Sequence, residues 1–287
     1  MLANSQHVIA DGTFTYAPKH FYQLYTVHVS INGFHMPVLY AFLSGKSKGV
    51  YVSLWMNVKD LVLSLVKKHL QLTTFHVDFE HAAHKALSEC FPNAAIYGCT
   101  FHLCQAWYRR LKKSKNLQRH YVKKTEEGLW LKQFFALCFL PPDSVYNAFT
   151  TLMMDAPAGT TDFTYYILTT YIEDDCCFPP QVWASAPPDN SLRTTNGAES
   201  FHRDFNQQFY SPHPNIHLVI GVLKEIQAEV NMKIMSVKKG STNVLRAATR
   251  KQLQLLEELW LKFQEDSDVI AYLAAASNRY EPENFDD

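Results

Sequence analysis

Little in this chain would place it outside a cell or in a membrane. Its six cysteines, Cys90, Cys99, Cys104, Cys138, Cys176 and Cys177, form no CxxC pair and no regular spacing. That argues against a disulfide framework and for reduced thiols in a cytosolic or nuclear protein. No apolar run reaches the roughly 18 uninterrupted residues of a membrane helix, so no membrane partner is expected. The opening MLANSQHVIADGT lacks the charged and apolar regions of a secretion signal. A charge excess is missing too: 27 Lys and Arg stand against 27 Asp and Glu. Proteins that bind nucleic acid unaided usually carry a basic balance. There is no internal repeat.

What is present is a core. Of 287 residues, 47% are apolar, enough for one large domain or one domain with an inserted module. The basic residues are unevenly spread. Arg109, Arg110, Lys112, Lys113, Lys115, Arg119, Lys123 and Lys124 follow one another with no acid among them. Two readings stand: a solvated helix face, or a surface that contacts phosphates.

The first hundred residues alternate in pattern. His7 to Tyr16 reads as a strand around an acid, and Phe21 to Ile31 as a β-branched and aromatic strand. Asn32-Gly33 is a hairpin signal, with His35 to Leu43 returning. Pro37 suits an edge strand or a strand start. Leu54, Val58, Leu61, Val62, Leu65 and Val66 recur at helical spacing within Tyr51 to Leu70. Thr73 to Asp78 is then a short strand, Glu80 to Cys90 a helix, Ala94 to Thr100 a fifth strand, and Phe101 opens another helix. The order β-β-β-α-β-α-β-α implies a mixed α/β sheet with helices on its faces; RNase H-like folds have this order, and other α/β folds share part of it. Gln105 to about Pro188 is helical, with breaks at Pro141-Pro142, Ala156-Pro157 and Pro179-Pro180. Helices are also expected over Glu199 to Phe209, Ile216 to Val237 and Val244 to Gln264, before an acidic, frayed tail from Glu281 to Asp287. The expected organisation is residues 1–104 as the first part of the core, 105–192 as an all-α insertion, 193–215 as its closing catalytic helix, and 216–287 as a C-terminal helical segment.

Two acids occupy positions that such a sheet brings together. Asp11 lies inside the first strand and Asp78 ends the fourth, and these strands are neighbours in an RNase H-like sheet. A third carboxylate from a late helix would complete a site for two divalent cations. Each acid also has a plainer reading. Asp11-Gly12 could be a turn, Asp78 could cap the helix that follows, and Asn196 with Glu199 fits a capping box. His76 shares a strand face with Asp78 and reads as a structural histidine. His81 and His84 lie on a helix with no identifiable partner acid, and His20 suggests no chemistry.

Four blocks settle the weighting. DGTFTYAPKHFYQLYTVHV from Asp11, HVDFEHAAHKAL from His76, GCTFHLCQAWYRR from Gly98 and RTTNGAESFHRDFNQQFYSPHPNI from Arg193 resemble, in order, the signature blocks of Mutator-like element (MULE) transposases. FLPP at Phe139 and APAGTTDFTYYILTTYI from Ala156 are similar to the family's helical insertion. The similarity runs from about residue 8 to about residue 220. It implies a DDE-type catalytic core whose metal-binding carboxylates are Asp11, Asp78 and Glu199, with two Mg²⁺ or Mn²⁺ ions as cofactors. The family's C-x-x-H motif is matched by Cys99 and His102. The resemblance places such a histidine near the active site, and its role is open. A zinc site is disfavoured, because about four ligands are needed and only Cys104 and Cys90 lie near, at poor spacings.

The resemblance further implies double-stranded DNA as partner, both transposon ends and target, in the nucleus (in the cytoplasm if inactive). Arg109, Arg110, Lys112 and Lys113 are the candidate DNA-contacting residues. Family members carry a zinc-binding, DNA-recognising domain upstream of the first catalytic acid. Here ten residues precede Asp11, so a truncated or domesticated copy that relies on a separate recognition domain is expected. Two functions follow: a DDE transposase core, or a non-catalytic DNA- or protein-binding module of transposase origin. A plain nuclease ranks third. Leu253, Leu256, Trp260 and Phe263 lie at helical spacing and favour packing on the core over a homodimer interface.

Overall fold

The computed structural model describes residues 1–187 and 196–278. The side chain of Asn196 and the tail from Glu281 to Asp287 lie outside the described residues, so the capping-box and fraying expectations fall outside them as well. The chain forms two units. One comprises Met1–Tyr97 with Thr195–Leu245, the other Gly98–Thr194 with Arg246–Asp287.

The first unit is built on a mixed sheet. Strands β1 (His7–Thr13), β2 (Gln23–Ile31), β3 (Phe34–Leu43), β4 (Thr74–Val77) and β5 (Ala95–Gly98) lie in the order β3-β2-β1-β4-β5. β1 pairs antiparallel with β2 and parallel with β4, and β2 pairs antiparallel with β3. This is the mixed five-stranded α/β sheet that the sequence predicts. The hairpin forms at Asn32 (φ 52°) and Gly33 (φ 78°), both left-handed, as a tight two-residue turn requires. β3 is an edge strand, which is where Pro37 is tolerated. It faces His28 at a register shift between Val27 and His28.

Alternation along β1 and β2 sends residues to two apolar layers. Val8, Ala10, Tyr25, Val27 and Val29 face helices α1 (Lys48–Val66) and α2 (His81–Cys90), joined by Phe75 and Val77 of β4. Trp55, Phe75 and Phe91 form an aromatic triad there, with ring centroids 4.9–5.6 Å apart. By length and composition alone α1 could cross a membrane. Its Tyr51, Trp55, Val58 and Val62, however, are buried in this layer, and Ser47 caps it. Leu24 faces the other way and packs with Phe205 and Phe209, and with Val219 and Leu223. These belong to, or directly follow, α9 (Asn196–Asn206), and to α10 (Ile216–Lys238). Helices therefore cover both faces of the sheet.

Beyond β5, the regular elements among the described residues of the second unit are all helices. It contains α3 (Thr100–Lys112), α4 (Lys115–Lys123), α5 (Glu126–Phe134), α6 (Pro142–Met154), α7 (Thr161–Ile167), α8 (Pro180–Trp183), α11 (Ala247–Asp266) and α12 (Val269–Ser277). The proline pairs start helices: Pro142 and Pro180 occupy first-turn positions of α6 and α8. There the missing N–H costs nothing and the fixed φ is already helical. Trp107, Trp183, Phe134, Phe135 and Phe163 are fully buried. α11 packs on α12 through Trp260 and Phe263, whose rings meet Tyr272. The apolar stripe of α11 is thus engaged inside its own unit. α12 has no counterpart in the sequence-based expectations.

Candidate active site

Asp11 sits mid-strand in β1, opposite Thr26, and not in a turn. It is 4% exposed, which a carboxylate tolerates only with hydrogen-bond partners. The parallel register pairs Ile9 with His76. Two residues further along each strand, that register sets Asp78 beside Asp11, on the same face, just past the end of β4. Asp78 is half-buried and does not cap α2, whose N-cap is Glu80. Its backbone is fixed instead by His84, whose Nε2 meets the Asp78 carbonyl at 2.8 Å. The carbonyl can only accept, so Nε2 carries the proton. Burial lowers the pKa of His84, consistent with a neutral ring.

Tyr25 lies near these acids. Burial is the main cause of its raised pKa, and the nearby carboxylates of Asp78, Asp11 and Glu80 push it higher still. Glu80 accepts from the Tyr51 hydroxyl at 2.8 Å, and Tyr51 in turn accepts from Gln23 Nε2 at 2.7 Å. Burial raises the Glu80 pKa, while the Tyr51 bond and Lys46 oppose the shift.

The third acid comes from α9, which packs on β1. Glu199 lies in its first turn, half-buried, one turn before His202. Residues three apart share a helix face, so Glu199 stands on the side of α9 that carries His202. His202 Nδ1 lies 3.1 Å from Asp11 Oδ2, with both side chains largely buried. α9 comes so close to the sheet that a Cβ on Gly197 would fall 2.3 Å from His35 Cγ. The glycine of TTNGAE is therefore a requirement of close approach. Asp11, Asp78 and Glu199 are all carried by the first unit, two of them at adjacent strand positions and the third on the helix bonded to Asp11.

The remaining candidates belong to the second unit. Cys99 is buried at the N-cap of α3, and His102 is half-buried in its first turn. Arg109 and Lys113 are exposed at the end of α3. Arg110 and Lys112 are partly covered. Arg110 donates to the Asp162 carbonyl at 3.2–3.3 Å and lies over the Tyr166 ring, and Lys112 lies over Tyr108.

Sequence reasoning missed His202, Thr26 and His28. A signal was there: Thr26 and His28 are polar at alternate positions of a strand otherwise built for burial, and His202 follows Glu199 by three. No curated protein matches the chain. Residues 7–106, which hold β1 to β5, Asp11 and Asp78, match the family model of the MULE transposase domain. Over those residues the chain is similar to the MULE transposase domain.

Proposed function

We propose that the first unit is a DDE-type catalytic core that cuts and joins DNA phosphodiesters. The observation that carries this reading is the parallel register that sets Asp78, just past the end of β4, beside Asp11 within β1, inside a matched transposase domain. The donor set is all hard carboxylate oxygen, which suits Mg²⁺ or Mn²⁺. Asp11 and Asp78 would hold a pair of such ions between them, and Glu199 would supply the third carboxylate. When bound, two divalent ions activate the attacking oxygen and stabilise the leaving oxygen of an in-line displacement.

The reaction balances without further reagents. Water attacks a phosphorus at a transposon end, a P–O bond breaks, and a hydroxyl is released. That hydroxyl then attacks target DNA, displacing another. In this reading the protein acts in the nucleus. Arg109 and Lys113 are exposed and would be free to meet phosphates, whereas Arg110 is engaged with Asp162. Cys99 and His102 keep the family motif, and no step is assigned to them.

The test is Mn²⁺ binding by electron paramagnetic resonance, in wild type and Asp78→Asn, with and without a short DNA duplex. Binding that needs Asp78 and tightens with DNA is expected. Equal binding in the variant would remove Asp78 from the site. No binding by either protein would leave a module that acts through its surfaces.

A further inference from the structure

Behind Asp11, on the face covered by α9, lies a chain of buried polar side chains that the carboxylate set does not use. His202 Nδ1 is 3.1 Å from Asp11 Oδ2, His202 Nε2 is 3.0 Å from Thr26 Oγ1, and His28 Nε2 is 2.9 Å from the same hydroxyl. Thr26 and His28 are 0% exposed and His202 is 7% exposed. Burying three polar groups among Leu24, Phe201 and Phe205 is costly unless their hydrogen bonds are satisfied and directed.

The partners dictate the directions. An ionised Asp11 has no proton to give, so His202 Nδ1–H donates to Oδ2. Thr26 has one proton and two acceptors near it, His202 Nε2 at 3.0 Å and the Asp11 carbonyl at 3.3 Å. In the shorter bond Thr26 donates to His202. Its oxygen is then free to accept from His28 Nε2–H. His28 Nδ1 is left as a buried nitrogen without a partner, which as a bare acceptor is a smaller cost than a stranded N–H. One set of proton positions thus satisfies every other group in the chain. It runs His28 to Thr26 to His202 to Asp11, each donating to the next.

We infer that His202, oriented by Thr26 and His28, is a positioning residue that holds the Asp11 carboxylate in the geometry needed to ligate a divalent ion. The Asp11 Oδ1 atom accepts from the Gly12 N–H at 2.8 Å, so the two oxygens are held from different sides. The carboxylate plane is thereby fixed by partners on both oxygens. Outer partners of metal-ligating side chains act in this way, and their loss costs about 10–100-fold in metal affinity. The inference rests on the proposed role of Asp11 as a ligand. It adds a residue on α9 that couples the seating of that helix to the first strand.

The experiment measures Mn²⁺ affinity and thermal melting together, on the full chain. His202→Ala should weaken Mn²⁺ binding by about 10–100-fold while a cooperative melt persists. Two isosteric probes guard against simple misfolding. An asparagine amide nitrogen stands as many bonds from Cβ as Nδ1 does, so His202→Asn can keep the bond to Asp11 and should restore binding to within several-fold of wild type. A glutamine amide reaches further, toward the Nε2 position, so His202→Gln should resemble the alanine variant in affinity. A filler of the core would give Asn and Gln variants that differ in melting and not in affinity. Binding that requires Asp78 but is the same in wild type, His202→Asn and His202→Gln would overturn the positioning role and leave the catalytic reading standing. Absence of Mn²⁺ binding in wild type would overturn both.

Discussion

His28 shows how much a single buried side chain can reveal. Its pKa falls from the ordinary 6.5 to about 3, mainly through burial, with His202 and His35 lowering it further and Asp11 opposing. The folded state therefore keeps this ring neutral, while the unfolded chain protonates it below about 6.5. Between those limits the unfolded state binds more protons, so stability rises with pH. The contribution of His28 is fully present above about 6.5 and is lost progressively as pH falls toward 3. Urea unfolding at pH 4.5 and pH 7.0 should show a clear loss of stability at the lower pH in wild type. In His28→Gln, which cannot titrate, that loss should shrink. An unchanged pH difference would mean that the titrating group lies elsewhere. The sequence shows His28 only as a polar residue two positions after Thr26 in an apolar strand, and the burial that shifts its pKa comes from the fold.

Among the elements, α9 depends on a missing side chain. Gly197 lets the helix approach β3 at His35, and that approach carries His202 to Asp11. A Cβ there would meet the near end of the imidazole, Cβ and Cγ at 2.4 and 2.3 Å, which rotation of the side chain alone cannot relieve. Gly197→Ala should displace α9 and weaken Mn²⁺ binding. Removing the obstacle in the double variant His35→Ala/Gly197→Ala should recover much of the loss. Additive effects in the double-mutant cycle would show that the two residues do not oppose each other. α12 illustrates the opposite case, an element whose signal was present but unread. Asp268 caps it, accepting from the Ala271 N–H at 3.0 Å, and nine residues of mostly apolar, helix-favouring sequence follow. Read alone, so short and apolar a run does not declare its type. It becomes a helix where Tyr272 can bond the Phe139 carbonyl and stack on Phe263.

At the scale of the whole chain, a net charge of zero means that any grip on DNA must come from local clusters. The basic stretch after Arg109 splits once folded. Arg110 is tied to α7, while Arg109 and Lys113 are exposed. If the latter two each neutralise a phosphate, Arg109→Gln/Lys113→Gln should lower the slope of log affinity against log salt by up to about 2 units, near 0.9 per contact. Fluorescence anisotropy across a salt series would read this directly, and an unchanged slope would return the stretch to a solvated face. The same double variant should leave Mn²⁺ binding to the first unit unaltered.

The sequence by itself determined the local periods and the chemistry-bearing motifs. Alternation, the Asn32-Gly33 turn and helical spacing gave β1 to β5, α1 and α2 within a few residues, because these signals act over short range. The four motif blocks likewise pointed to Asp11, Asp78 and Glu199 and to the family. Only the tertiary structure decided which face each acid shares and what holds it there. Parallel pairing of β1 with β4 brings Asp78 alongside Asp11 from 67 residues away, and α9 returns His202 to Asp11 from 191 residues away. A hydrogen-bond chain linking Asp11, Thr26, His28 and His202 joins residues from β1, β2 and α9 that no single period connects. It exists because a buried polar group must find its partner in space, wherever the chain has put it.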